Sequence, residues 1–281
     1  MSIWRRLRNL GFWALCGLAA LAIAGPALWV LFTVFHQALP VVGWNLLTHN
    51  TNAGGLKNAI LGTLWLLLGV LVVAGTVGVG SGIYLAEFAP PRIEHVMRFF
   101  SDVLAGMPSI VLGYVAYITL VVQVGWGYSY IAGVIALSVL VLPYIVKTTE
   151  VALRQVPRAL REGAAGLGMP DQAILWKVVF PPALPGIMSG VIVALAISTG
   201  ELAPLLFTVG FTDNDPSLAL THQQVPYLTS VIFTNLQLPD PQAQYLSAAA
   251  GAMSLVLLVI LILIGRLITA RSVRATRRMA L

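Results

Sequence analysis

A single carboxylate, Glu201, interrupts an otherwise uncharged run from Val178 to Phe211, in the setting Ser198-Thr199-Gly200-Glu201-Leu202-Ala203-Pro204. An ionised side chain in hydrocarbon costs on the order of 3 kcal/mol, so such a residue marks a substrate or ion path by default. Gly200 and Pro204 flank it and loosen the helix, freeing backbone groups that can meet a passing ligand. Counted from Pro185, the glutamate falls about two-thirds of the way along its helix; a hydrated place near the outer interface is the plainer alternative. Ser109, which follows Pro108 at the start of another apolar run, is a second candidate on the path. Its hydroxyl and the helix-start N–H groups are donors, although proline at a first helical turn is also ordinary architecture.

Catalytic and metal chemistry find little to work with. His36, His49, His95 and His222 are far apart and form no H-x-x-x-H pair. Cys16 stands alone in an apolar run, which excludes a disulfide framework and a thiol-rich metal site. No Ser–His or His–Asp pair shares a plausible face, so a polytopic membrane hydrolase or acyl transferase is the weaker reading. A membrane sensor or anchor would bring an appended soluble domain, and none is expected here. No G-x-x-x-x-G-K-[ST] occurs. The expectation is therefore no catalytic residue, no metal and no resident cofactor, with any ATP bound and hydrolysed by a partner chain.

The elements that hold these residues follow from composition. The 281 residues are 58% hydrophobic and 9% charged, with mean hydropathy +0.89. Globular chains average about 45–50% and 25%, and so few charges cannot coat a soluble body. Disorder is excluded as well, because it requires low hydrophobicity. The class is an all-α integral membrane protein. A span needs roughly 20 apolar residues, and reading for them gives six: about 11–35, 58–86, 103–123, 129–146, 182–211 and 243–265. The third and fourth share one long uncharged stretch, divided at Gly125-Trp126-Gly127-Tyr128.

On that map fifteen of the sixteen Lys and Arg fall on one side and Lys57 alone on the other. The positive-inside rule makes that side, and both termini, cytoplasmic. The net charge of +6 and pI near 9.8 thus express membrane topology, not nucleic-acid binding. Arg5, Arg6 and Arg8 before an apolar run resemble a signal peptide, but the run continues through Phe35, which reads as an uncleaved anchor that Pro26 kinks. The largest outer loop, 212–242, holds four prolines and the apolar Val231-Ile232-Phe233, which suggests a packed lid or a short helix.

The cytoplasmic loop 147–181 is the most unusual stretch. Lys147 to Arg154 continues a helix out of the membrane, and Pro157 follows. Then come Arg158, Arg161, Glu162 and the small residues Gly163, Ala164, Ala165, Gly166 and Gly168. Gly168-Met-Pro170 stops that helix, Asp171 is placed to cap a short one over 172–179, and Pro181-Pro182 breaks the chain again. A solvated hairpin needs no smooth Gly/Ala face beside Arg and Glu with a rigid corner behind it. A dock for a soluble partner does.

This run resembles the EAA motif of permease subunits in ABC importers: Glu-Ala-Ala, three residues, Gly, nine residues, Ile-x-Leu-Pro. Here Glu162-Gly163-Ala164, Gly168 and Val178-Val179-Phe180-Pro181 keep the spacing, with Gly163, Val178 and Phe180 as departures. The likeness implies that Glu162, Gly163, Ala164, Gly168 and Pro181 form the ATPase dock. A second stretch, Gly200-Glu201-Leu202-Ala203-Pro204-Leu205-Leu206-Phe207-Thr208, resembles the GETAPLLFT segment of phosphate-specific importer permeases. Gly55 to Thr63, Gly82 to Phe88 and Pro108 to Gly113 are similar to that subfamily too, so the likeness runs from about 55 to 210. Leu202 replaces the usual threonine, and Ile197 stands where the family often carries arginine.

The resemblance implies the type I importer permease fold, with Glu201, Gly200, Pro204 and Ser109 on the translocation pathway. It implies a bacterial inner-membrane subunit that pairs with a related permease, two ATPase subunits and an external binding protein, surrounded by lipid and without nucleic acid. Inorganic phosphate is the expected substrate, and molybdate or sulfate the alternative.

Overall fold

The computed structural model describes the backbone of residues 3–279 and the side chains of residues 9–267. Arg5, Arg6, Arg8, Arg271, Arg274, Arg277 and Arg278, which carry part of the charge segregation, have side chains outside the described residues. Every regular element among the described residues is helical. The principal helices are α1 (Ile3–Ala38), α2 (Lys57–Glu87), α3 (Pro91–Gly106), α4 (Ser109–Gln123), α5 (Tyr130–Arg154), α6 (Arg158–Gly166), α7 (Asp171–Gly200), α8 (Ala203–Thr208), α9 (Leu228–Leu236) and α10 (Pro241–Met279).

Five of these, α1, α2, α5, α7 and α10, are long and apolar enough to cross a membrane. The sixth span is not the straight 103–123 helix that the uncharged run suggested. Over that stretch the chain leaves α3 at Met107-Pro108 and enters α4 with a bend of 103°. Proline disfavours helix in the residue before it, so the bend falls at this Met-Pro step. α4 widens to π winding over Tyr117–Gln123.

The span expected at 182–211 also differs. α7 starts at Asp171 and runs unbroken through Pro181 and Pro182, because a π-wound turn over Leu175–Val179 places both prolines in the first turn of a new α-helical stretch. A first turn has no intrahelical use for those N–H groups, so the prolines cost little there. Asp171 makes no side-chain cap; Pro170 occupies the cap position. The helix then ends at Gly200, and Ala203–Thr208 forms a separate short helix. Glu201 therefore lies past the end of its helix and not two-thirds of the way along it.

α2 and α5 form the spine. Lipid supplies no hydrophobic drive between helices, so close approach at small residues must do the work. A β-carbon on Gly69 would fall 2.4 Å from the Tyr130 hydroxyl, one on Gly78 2.7 Å from Ile145, and one on Gly82 2.5 Å from Thr149. Dispersion contacts strengthen as backbones approach, which makes this seam rigid. Trp65 stacks on Tyr130 at its outer end, ring centroids 4.9 Å apart. α7 and α8 pack on the spine through Val191, Ala194, Leu205 and Val209. α10 lies against α7 and α9, while α1 touches the body chiefly along α10 and leaves most of its surface open to lipid.

Candidate functional site

At the break between α7 and α8, the Glu201 carboxylate lies near the Ser109 side chain. Two different parts of the fold cause this. α4 begins at Ser109 because Pro108 starts it, and α8 begins two residues after Glu201 with Pro204 in its first turn. The two short helices then press together: a β-carbon on Gly113 would meet the Pro204 Cα at 2.7 Å and the Ala203 carbonyl oxygen at 3.0 Å. Pro204 is buried in that seam, Gly200 faces open space, and Glu201 is half-buried. Tyr114, Tyr117, Tyr128 and Phe207 flank the same seam as an aromatic group, with Tyr114 edge-on to Phe207 at 6.0 Å.

The break lies toward the end of the bundle where α2 begins. Ser198 and Thr199 share a small cavity with Thr63, Leu66 and Leu67 near the start of α2, and Tyr227 and Thr229 of the outer loop close it. Thr229 donates to the Glu201 carbonyl at 3.0 Å. Among the described residues no Lys or Arg pairs with the Glu201 carboxylate. The outer loop is itself tied to α2: Lys57 pairs with Asp215 at 3.2 Å, Asn58 donates to the Asp213 carbonyl at 2.9 Å, and the Leu228 amide donates to Thr63 at 3.0 Å. It is a fastened lid, and α9 is its short helix.

At the other end, α6 and the start of α7 make two short rods joined at Gly168, whose φ of +76° is the left-handed conformation that glycine adopts freely. Glu162 and Gly163 face outward and are exposed, with Gly163 open to solvent. Ala164 is not part of that outer face. It is buried against Leu153, Ile174, Leu175 and Val179, seating the helix on the bundle. Pro181 is half-buried within α7. Exposed apolar side chains accompany the outer face: Leu160, Leu167 and Trp176. Leu167 is 85% exposed at the corner itself.

Behind these rods, where α2 and α5 end, lies an ionic cluster. Glu150, buried on α5, accepts from Arg98 of α3 and forms an ion pair with Arg154 one turn on, at 3.1 Å. Arg154 also reaches Glu94 at 2.9 Å and the Leu85 carbonyl at 3.2 Å. Arg161 of α6 pairs with Glu87, the last residue of α2, and donates to the Leu153 carbonyl at 2.9 Å. The four-residue spacings Glu94/Arg98 and Glu150/Arg154 were a usable signal. Nothing in the sequence joined residue 87 to residue 161.

The chain is thus a multi-helix bundle with five helices able to cross a membrane, a break near one end and a two-rod loop at the other. The profile of the family described as "Binding-protein-dependent transport system inner membrane component" matches residues 78–274. The chain belongs to that family of inner-membrane permeases. The phosphate transport system permease protein PstA 2 of Mycobacterium bovis is 47% identical over 266 residues, covering 94% of this chain and 88% of the relative. The PstA protein of Yersinia pestis is 35% identical over 275 residues, covering 95% and 92%. The fold is that of type I ABC importer permeases: a chain of the inward-facing MetNI methionine ABC transporter superposes with a TM-score of 0.59 at 21% identity, covering 78% of this chain and 96% of that one. α1 precedes the matched family region and stands outside the bundle's spine.

Proposed function

We propose that this chain is the transmembrane subunit of an ATP-driven inorganic phosphate importer and forms half of its translocation pathway. The observation that carries this reading is the near full-length likeness to permeases named for phosphate transport, 47% and 35% identical. The other half is a related permease. Two ATPase subunits engage the outer face of α6 and the Gly168 corner, and an external binding protein delivers phosphate to the lid side. Both termini are cytoplasmic in this reading, which the segregation of Lys and Arg supports.

The arrangement supports a division of labour. A phosphate path needs donors, and this chain offers the Ser109 hydroxyl, the N-terminal amides of α4 and the opened backbone at Gly200. Glu201 would hold an arginine supplied by the partner permease, which orients that cation and keeps it from trapping phosphate. The exposed apolar face of α4 beside this site, with Ile110, Val111, Tyr114 and Val115, gives the partner permease a surface to cover. Proteoliposomes containing both permeases and the ATPase test the reading. With phosphate-loaded binding protein and internal ATP they should accumulate phosphate; ATP-dependent uptake of none would overturn it.

A further inference from the structure

One side chain of the docking helix, Arg161, ties it to the ends of two transmembrane helices. Arg161 uses one nitrogen of its guanidinium for Glu87, at the end of α2, and the other for the Leu153 carbonyl near the end of α5. The Glu87 side chain is 14% exposed and that of Arg161 27%, so the pair is shielded from the water that makes surface ion pairs negligible. Its shape also suits a joint. The second Glu87 oxygen is buried with no hydrogen-bond partner among the described residues, so one bond carries the contact and leaves it free to pivot.

From Glu87 the connection is continuous to the opposite side. α2 is one unbroken helix of 31 residues, stiffened along α5 by the glycine seam. At its far end Lys57 and Asn58 hold Asp215 and Asp213 of the lid, and Thr63 accepts from the Leu228 amide. The next residue, Thr229, donates to the Glu201 carbonyl. We infer that the Arg161–Glu87 pair is the joint through which the ATPase-docking helix drives α2, and that α2 carries that displacement to the lid over Glu201. Arg161 and Glu87 are then positioning residues for coupling, in contact with neither substrate nor nucleotide. The inference rests on the transport reading above.

The test is a double-mutant cycle in the assembled transporter with Glu87→Gln, Arg161→Gln and both together. Each single variant should retain the ATPase and hydrolyse ATP, with phosphate carried per ATP falling about tenfold, the size expected when contacting charged residues are uncoupled. The double variant should be no worse than either single one, because the joint is already lost. A second readout sits at the far end. In a Cys16→Ser background, the thiol of Asn214→Cys should react at different rates in the resting and ATP-bound transporter, and Glu87→Gln should abolish that difference. Losses that multiply in the double variant, unchanged stoichiometry in both single variants, or singles that shed the ATPase would each overturn the inference. So would an ATP-dependent labelling difference that persists in Glu87→Gln. A parent complex that imports no phosphate at all would instead sink the transport reading.

Discussion

Gly113 and Pro204 are in backbone contact, so close that a β-carbon on the glycine would lie 2.7 Å from the Pro204 Cα. This contact sets the spacing between α4 and α8 and so brings Ser109 against Glu201. Gly113→Ala should overpack the seam at a cost of about 1–3 kcal/mol. Gly106→Ala, where the added carbon meets open space, is the control. Thermal unfolding of the purified complex checks it: the midpoint should drop by several degrees for the first variant and stay in place for the second.

Glu201→Gln should leave assembly intact while impairing phosphate transport. The amide keeps the size of the carboxylate and can still meet the Ser109 hydroxyl, but it cannot hold a cation from the partner subunit. Uptake measured beside the yield of intact complex separates the two effects. Normal uptake would return Glu201 to the role of a hydrated residue at the outer interface.

Gly163 is the better probe of the dock than Gly168. It lies within a helix on an exposed face with open space around it, so Gly163→Trp should fold normally and release the ATPase. A substitution at Gly168 strains a left-handed backbone whether or not a partner is present, at about 1 kcal/mol or more. Co-purification of the ATPase decides it: Gly163→Trp that retains a fully active ATPase contradicts the placement of the dock.

The lid should face outward. Asn214 is exposed at its rim beside Asp215. In cells carrying Cys16→Ser and Asn214→Cys, a membrane-impermeant thiol reagent should label the protein before lysis. Labelling only after lysis would invert the topology.

Much of this was legible in the residues themselves, for physical reasons. Charge cannot enter hydrocarbon, so the gaps between Lys and Arg clusters marked the spans, and the Gly168-Met-Pro170 corner marked the junction of two short helical rods. The breaks were harder to read. The uncharged run gave no sign that the chain turns by 103° at Pro108, because proline is compatible with both a helix start and a sharp corner. Pro181-Pro182 looked like a stop, yet a π-wound turn before it lets α7 pass through. Ala164 looked like part of a smooth docking face, whereas its buried side is what seats the helix. The Glu87–Arg161 pair joins residues 74 apart, and no periodicity reports such a contact.

Import of phosphate through this chain would draw on ATP hydrolysed by a partner chain. The most direct measurement is the ATPase rate of the reconstituted complex with its binding protein loaded in turn with phosphate, sulfate and molybdate. The phosphate-loaded protein should stimulate hydrolysis, and the protein exposed to the other two anions should do so little. Equal stimulation by sulfate or molybdate, or none by phosphate, would contradict it.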